Sequence, residues 1–410
     1  MPASEPFVIA GAGLAGAKAA EALRAKGYEG RIVLVGAEEH RPYERPPLSK
    51  GYLIGKDERE KAFVHPEAWY AEHEVELRTG TRVVAIDRGS HQVRLADASR
   101  LDYAKLLLAT GASPRHLPVL GGNADQVVYL RTIDDSERLR ALFGRISRLV
   151  VIGAGWIGLE ASAAARGAGV EVTVVESAAL PLLRVLGPQM AQVFADLHRR
   201  NGVDLRFGEV VGEITTEGGY ATGVRLRDGS VLPTEAVLVA VGVEPNTQLA
   251  EDAGLPVEDG VLVDAALRTE DPDIFAVGDV ARAHHPRYGK RIRVEHWANA
   301  LNQPDVAASG MLDQEAEYDR LPYFYTDQYD LGMEYLGYVE PDGYDRLVTR
   351  GDPAGGEFIA FWTAGGRVLA GMNVNVWDVG DAIRALIESG SVVDLDALAD
   401  PGTALDSLVG

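Results

Sequence analysis

The chain of 410 residues contains no cysteine. Disulfides, zinc–thiolate centres, cysteine nucleophiles and any cycle through a redox-active thiol pair are therefore excluded. Long apolar runs are also missing: none approaches the ~20 residues that span a bilayer. Positive charge is scarce, with 40 Lys and Arg against 61 Asp and Glu, a net charge of −21. That balance argues against nucleic acid or an anionic membrane as the main partner. No metal-ligand spacing is present; His284 and His285 stand alone. The stretch MPASEPFVIAGAG lacks the positive lead of a signal peptide and passes directly into a strand, so a cytoplasmic location is expected.

What remains is a composition with 46% hydrophobic and 25% charged residues, enough apolar material for two or three globular cores. The apolar run Phe7–Ala10 leads into Gly11, Gly13, Leu14, Ala15 and Gly16, then an alanine-rich stretch that predicts a helix over 14–26, then the strand RIVLV. This is the strand–turn–helix–strand pattern of a dinucleotide fold. The first glycine makes the tight turn, the second lets backbone approach a pyrophosphate, and the third lets helix and strand pack closely. Glu38 is the candidate acid for the ribose of this first site. The pattern recurs at Leu149–Ile152, with Gly153, Gly155, Ile157 and Gly158 in the turn and first helical residues. Here the strand VEVTVVE ends in Glu176, 21 positions after Gly155, where a ribose-binding carboxylate belongs. A carboxylate there repels a 2′-phosphate, so NADH is expected over NADPH. Arg184, a short loop later, is a candidate for the same ribose or its phosphate, or a solvated surface residue.

A nicotinamide hands over a hydride and needs an acceptor held against its ring. A flavin in the first site would supply one. Three further segments suit its pocket: Ala109, Thr110 and Gly111 after the strand Leu106–Leu108; Val241 and Gly242 in VLVAVGVEPN; and Gly278 and Asp279, expected at the end of a strand in DIFAVGDVA. Asp279 fits ribitol hydroxyls as well as it fits a plain helix cap. Between Val280 and Val294 lie Arg282, Arg287, Lys290, Arg291 and Arg293 with no acid, a positive patch in an acidic chain and a candidate docking surface for an acidic protein. After Asp330, alternating apolar and polar residues around glycine turns predict an antiparallel sheet, followed by a short helix ended by Gly390.

The segments GAGLAG, RPYERPPLSKGYL, LLLATGASPR, VVIGAGWIGLE, AVGDVA, RVEHWANALNQ and YFYTDQYDLGMEYLG occur in this order from Phe7 to about Gly337. In them the chain resembles the pyridine-nucleotide flavoprotein reductases, specifically the ferredoxin reductases of bacterial haem monooxygenases and ring-hydroxylating dioxygenases. The resemblance implies two Rossmann-like dinucleotide-binding domains in a glutathione-reductase-like α/β arrangement, plus a C-terminal α+β domain with an antiparallel sheet. Its boundaries would be an FAD domain at 1–112 and 245–319, an NAD domain at 113–244, and an interface domain at 320–410. It implies transfer of electrons from NADH through FAD, one at a time, to a 2Fe–2S ferredoxin. By residue, it implies that Gly11, Gly13, Ala15 and Gly16 hold the FAD pyrophosphate, that Lys50 lies beside the flavin ring, and that Val83 flanks the adenine. Arg131 and Asp279 would bind FAD, Trp297 would sit at the pyrimidine edge, and Glu160 would pair with Lys50 near the nicotinamide. The chain departs from the pattern at Ala37, where relatives carry the first ribose acid. Two other readings stay open: a rubredoxin or small-acceptor reductase, and a redox-signalling flavoprotein resembling apoptosis-inducing factor.

Overall fold

The computed structural model describes residues 5–409; residues 1–4 and 410, the outermost positions of the expected domains and leader reading, lie outside them. The chain forms two compact units. The first gathers Met1–Arg45, Glu58–Ser113 and Val243–Arg320; the second gathers Pro46–Asp57, Pro114–Gly242 and Leu321–Gly410. The segment bearing Lys50 thus belongs with the second unit.

In the first unit a five-stranded parallel sheet runs in the order Ile274–Ala276, Lys105–Leu108, Phe7–Ala10, Ile32–Val35, Val75–Arg78. Its central strands are apolar at every position because both faces are covered, as parallel sheets require. The helix Leu14–Ala25 follows the first strand. Its alanines bring it close to the sheet and to the helix Trp297–Met311. The third glycine of the fingerprint is fixed by packing: a Cβ on Gly16 would stand 2.0 Å from the Gly11 carbonyl oxygen.

The second unit repeats the design, with parallel strands in the order Asp204–Phe207, Glu171–Glu176, Arg148–Ile152, Ala236–Val239, Val127–Tyr129. The helix Trp156–Gly167 follows directly on the glycine turn. A five-stranded antiparallel sheet, ordered Tyr323–Gln328, Leu331–Gly337, Arg367–Val374, Glu357–Ala364, Arg346–Asp352, shares this unit's core through Phe324, Tyr335 and Trp362, which pack with Leu159 and Phe194. The helix Gly380–Ser389 stops at Gly390, whose φ of +58° a glycine adopts without strain. The helix Leu183–Arg200 kinks at Gly187, ahead of Pro188. The proline has no N–H to offer the preceding turn, and the Leu186 carbonyl, just before the kink, accepts from Trp362 Nε1 at 3.2 Å. Among the described residues no helix is long and apolar enough to cross a membrane.

Candidate functional site

Each unit carries a glycine-lined junction between its central strand and first helix. In the first unit Gly11 has φ +123°, and a Cβ there would lie 2.1 Å from the Ala109 carbonyl oxygen, so turn and packing both demand glycine. Gly13 is different. Its φ of −91° suits any residue, and a Cβ would meet nothing within 4 Å. No side chain caps the helix it begins. The helix N-terminus is left with unpaired N–H groups and a partial positive charge facing open space. The second unit matches: Gly153 at φ +101° would clash with the Ala240 carbonyl oxygen at 2.3 Å, Gly158 would meet the Gly153 oxygen at 2.3 Å, Gly155 meets nothing within 4 Å, and no side chain caps the helix. Two open, uncapped cradles fit two pyrophosphates.

Strand register decides where each ribose acid can stand. Ile152 pairs with Val175, so Glu176 lies level with Gly153. Its carboxylate accepts from the backbone N–H of Ala154 and of Ala178, both at 2.8 Å. Leu182 N–H donates to the Ala154 carbonyl at 3.2 Å, bringing the exposed Arg184 turn to the same loop. In the first unit Ala10 pairs with Val35, so the equivalent position is Gly36. A side chain there is barred, since its Cβ would be 2.5 Å from Ala12 Cβ. The candidate acid lies instead on the following loop: Glu38 is half-buried, bonded to the Tyr43 hydroxyl and 2.9 Å from Arg45 Nη2. Val83 starts the strand Val83–Asp87 just beyond Thr81, whose N–H donates to the Gly36 carbonyl at 3.0 Å.

The Gly278–Asp279 turn sits against the first helix: a Cβ on Gly278 would be 3.5 Å from Ala15 Cβ. The strand before it ends at Ala276, two residues short of the expected end, and Gly278–Val280 is a 3-10 turn. Gly278 N–H donates to Gln303 Oε1 at 2.7 Å. Asp279 supports the charge of Arg45, where burial opposes the charge but Tyr43, Glu38 and Asp279 outweigh it and hold its proton more tightly than usual. Burial pushes His296 down to about 4, with Asp279 opposing. Trp297 Nε1 donates to Glu44 Oε2 at 3.2 Å; burial raises Glu44 above the usual carboxylate range, with Trp297 and Lys18 opposing. The loop of Ala109, Thr110 and Gly111 is fastened by Asn246, which donates to the Thr110 carbonyl at 2.8 Å and from its backbone to Gly111 at 2.9 Å. Asn246, Gln303 and Glu44 stand inside the quoted segments, yet nothing in the pattern singled them out. In the second unit Val241 and Gly242 follow the strand Ala236–Val239 and lie beside Arg115, whose N–H donates to the Gly242 carbonyl at 2.9 Å. Arg131 precedes the capping box of Thr132 and Asp135.

Also in the second unit, Lys50 Nζ lies 2.8 Å from Glu160 Oε1, and Glu160 is 4% exposed. Glu160 stands in the first turns of the helix that begins at the second cradle. It accepts from the Ser49 hydroxyl and, at 2.6 Å, from Thr326 Oγ1. Lys50 Nζ lies 5.2 Å from the centre of the Tyr325 ring. A buried ion pair held on both oxygens keeps a fixed geometry.

The basic stretch forms a hairpin of Ala281–His285 and Lys290–Ile292. It is not uniformly positive. Arg282 pairs with Glu258 at 3.1 Å, and Arg293 with Asp259 at 2.9 Å and Glu295 at 2.6 Å. Two of these acids, Glu258 and Asp259, stand 24 and 34 residues before their partners, where a scan of the stretch itself does not see them. Arg287, Lys290 and Arg291 are exposed at the tip.

Residues 6–303 match the family model of pyridine nucleotide-disulphide oxidoreductases, and residues 323–409 match the reductase C-terminal model. The ferredoxin–NAD(+) reductase component of an anthranilate 1,2-dioxygenase system from Burkholderia cepacia is 42% identical, over 99% of this chain and all of its own length. Putidaredoxin reductase from Pseudomonas putida is 40% identical over all of this chain and 98% of its own. Among solved structures, the ferredoxin reductase for the CYP199A2 system of Rhodopseudomonas palustris superimposes with a TM-score of 0.95 at 38% identity, covering 99% and 100% of the two chains. The covalent putidaredoxin reductase–putidaredoxin complex gives 0.95 at 38%, covering 99% and 98%. The family implies FAD and a nicotinamide dinucleotide, and the two open cradles fit them. On these matches the chain belongs to the pyridine nucleotide-disulphide oxidoreductase family, in the branch that carries a reductase C-terminal domain.

Proposed function

We propose that the chain is an NADH-dependent ferredoxin reductase, taking electrons from NADH and passing them singly to a 2Fe–2S ferredoxin that feeds an oxygenase. The observation that carries this reading is the pair of open, uncapped glycine cradles in a chain without a thiol. Two dinucleotides have places to bind, and no thiol is present to take the electrons onward. Bound FAD supplies the exchange between a two-electron donor and a one-electron acceptor.

The chain's own residues bind, orient and balance charge. Gly11 makes the turn, its own N–H bonded to the Val35 carbonyl, and Gly13, Leu14, Ala15 and Gly16 present N–H groups to the FAD pyrophosphate. Glu38 serves the adenosine ribose from the loop, Val83 flanks the adenine, and Asp279 orients the ribitol hydroxyls. Ala109–Gly111, Gly278 and Trp297 complete that pocket, and Arg131, Val241 and Gly242 are further cofactor-binding residues. Gly153, Gly155, Ile157 and Gly158 receive the nicotinamide dinucleotide. Glu176, already fixed by two backbone donors, accepts the ribose hydroxyls and repels a 2′-phosphate, which favours NADH. Arg184 reaches the same ribose edge. Lys50 holds a positive charge where negative charge accumulates on reduction, and Glu160 keeps its ammonium in place. Arg287, Lys290 and Arg291 steer an acidic ferredoxin, with Arg282 and Arg293 behind them partly neutralised. The proposed division is FAD domain 1–112 and 245–319, NAD domain 113–244 and interface domain 320–410, and the proposed location is the cytoplasm.

The test is the visible spectrum of the purified protein before and after anaerobic NADH, followed by cytochrome c reduction with and without a 2Fe–2S ferredoxin. A flavin spectrum bleached by NADH and a rate that depends on the ferredoxin are expected. Protein saturated with FAD that stays oxidised under NADH overturns the proposal.

A further inference from the structure

A row of buried polar side chains leads away from Glu160, and the proposed chemistry uses none of them. Thr326 Oγ1 donates to Glu160 Oε1 at 2.6 Å. Gln328 Nε2 donates to Thr326 Oγ1 at 3.2 Å. His198 Nε2 lies 2.8 Å from Gln328 Oε1, and the Tyr329 hydroxyl lies 3.3 Å from His198 Nδ1. Thr326, Gln328 and His198 are fully buried. An amide oxygen only accepts, so His198 carries its proton on Nε2 and offers Nδ1 to Tyr329. Every donor in the row then points the same way, toward the carboxylate. Hydrogen bonds aligned in one direction polarise one another, and a charge at the end of the row strengthens each of them.

The alignment follows from the elements. Thr326 and Gln328 alternate on one face of the strand Tyr323–Gln328, while His198 comes from the last turn of the helix Leu183–Arg200. Three side chains that cost free energy to bury line up on one oxygen of one ion pair. Apolar residues of the same size would fill this space without that cost.

We propose that Thr326, Gln328 and His198 are positioning residues for the Lys50–Glu160 pair: their one-way row fixes the Glu160 carboxylate and, through it, the Lys50 ammonium during hydride transfer. The inference rests on the reading that this pair serves the nicotinamide step. By it, the C-terminal sheet acts on the reductive half-reaction as well as shaping a partner surface.

The experiment compares Thr326→Val, Thr326→Ser, Gln328→Leu and Glu160→Gln in the full-length FAD-loaded protein. Three quantities are read: the stopped-flow rate of flavin reduction, its NADH concentration dependence, and the His198 Nε2–H resonance in the oxidised, NADH-free protein labelled with ¹⁵N-histidine. Thr326→Val, which removes one charge-assisted hydrogen bond, is expected to slow reduction about tenfold at saturating NADH, with the half-saturating concentration little changed. Thr326→Ser restores the rate. Gln328→Leu, one step further out, slows it about threefold, as a weaker neutral bond is lost. Glu160→Gln moves the His198 resonance although the two side chains do not touch. If Thr326→Val and Gln328→Leu lower thermal stability but reduce flavin at the wild-type rate while Glu160→Gln is slow, the row is core packing only and the inference fails. A His198 resonance unmoved by Glu160→Gln shows a broken row and overturns it also. If Glu160→Gln itself reduces at the wild-type rate, the assignment of the pair has failed, and the inference with it.

Discussion

The middle glycines of the two fingerprints can be tested with a single methyl group each. Gly13 has φ −91° and ψ −165°, an extended conformation open to alanine, and its added Cβ would touch nothing within 4 Å. In the ligand-free protein Gly13→Ala should therefore be nearly neutral. Alanine is the poorer N-cap by roughly 0.5–1 kcal/mol, and loss of glycine's unfolded-state freedom returns about 0.4–1 kcal/mol. The net is within about 0.5 kcal/mol, a shift in Tm of roughly 1–2 °C for a chain of this size. Binding is another matter. The methyl occupies the space where the pyrophosphate meets the helix N-terminus and displaces it from two or more charge-assisted hydrogen bonds, each worth ~1.5–3 kcal/mol. A loss of at least ~3 kcal/mol weakens FAD binding by more than about 100-fold. Gly155→Ala, at φ −80° and ψ −178°, should do the same to NADH while FAD stays bound. Apoprotein melting by circular dichroism, FAD titration by fluorescence quenching, and NADH binding to the FAD-loaded form separate the effects. Gly11→Ala is the contrast: φ +123° and a 2.1 Å clash with backbone predict damage to the fold itself. If Gly13→Ala binds FAD as the parent does, or its apoprotein melts many degrees lower, the cradle argument is wrong.

Other outcomes follow from the same geometry. Lys50→Ala should slow flavin reduction by NADH at least tenfold in stopped flow, since the positive charge beside Glu160 is lost; an unchanged rate removes Lys50 from the reaction. Glu176→Arg should move the ratio of kcat/KM for NADH over NADPH at least tenfold toward NADPH; a fixed ratio would show that the carboxylate does not read the ribose. Charge reversal at Arg287 together with Lys290 should lower the second-order rate with ferredoxin several-fold at low salt and flatten its salt dependence, leaving NADH-to-flavin reduction unaffected. Burial holds His198 and His296 neutral, each with its pKa pushed down to about 4. The unfolded chain then binds protons that the folded one refuses, so stability is full above about pH 6.5 and is lost as pH falls toward 4, by up to ~3 kcal/mol for each ring. Urea unfolding between pH 7 and 5, where most carboxylates stay ionised, should show the fall; a flat profile would contradict the burial.

The glycine fingerprints, the alanine-rich helix, the buried strands and the alternation of the C-terminal sheet were legible in the sequence because each is local. A tight turn needs positive φ within one residue, and the periods of helix and strand repeat within a few. Glu176 was legible for the same reason, as the spacing across one strand–helix–strand unit is nearly fixed. Glu38 could be named as the candidate acid of the first site, but its placement could not be read. Register puts Gly36 level with Gly11, the approach of Ala12 bars a side chain there, and Glu38 stands on a loop fastened by Tyr43 and Arg45. Nor could the chain order show that Arg282 and Arg293 are partly neutralised, since Glu258 and Asp259 meet them only once the chain has turned back. Thr326, Gln328 and His198 are ordinary polar residues in sequence, 128 or more positions apart between helix and strand. Local free energies choose turns, helices and strands, and those can be read along the chain. Which polar group satisfies a distant buried charge depends on how the elements pack, and only the tertiary structure decides that.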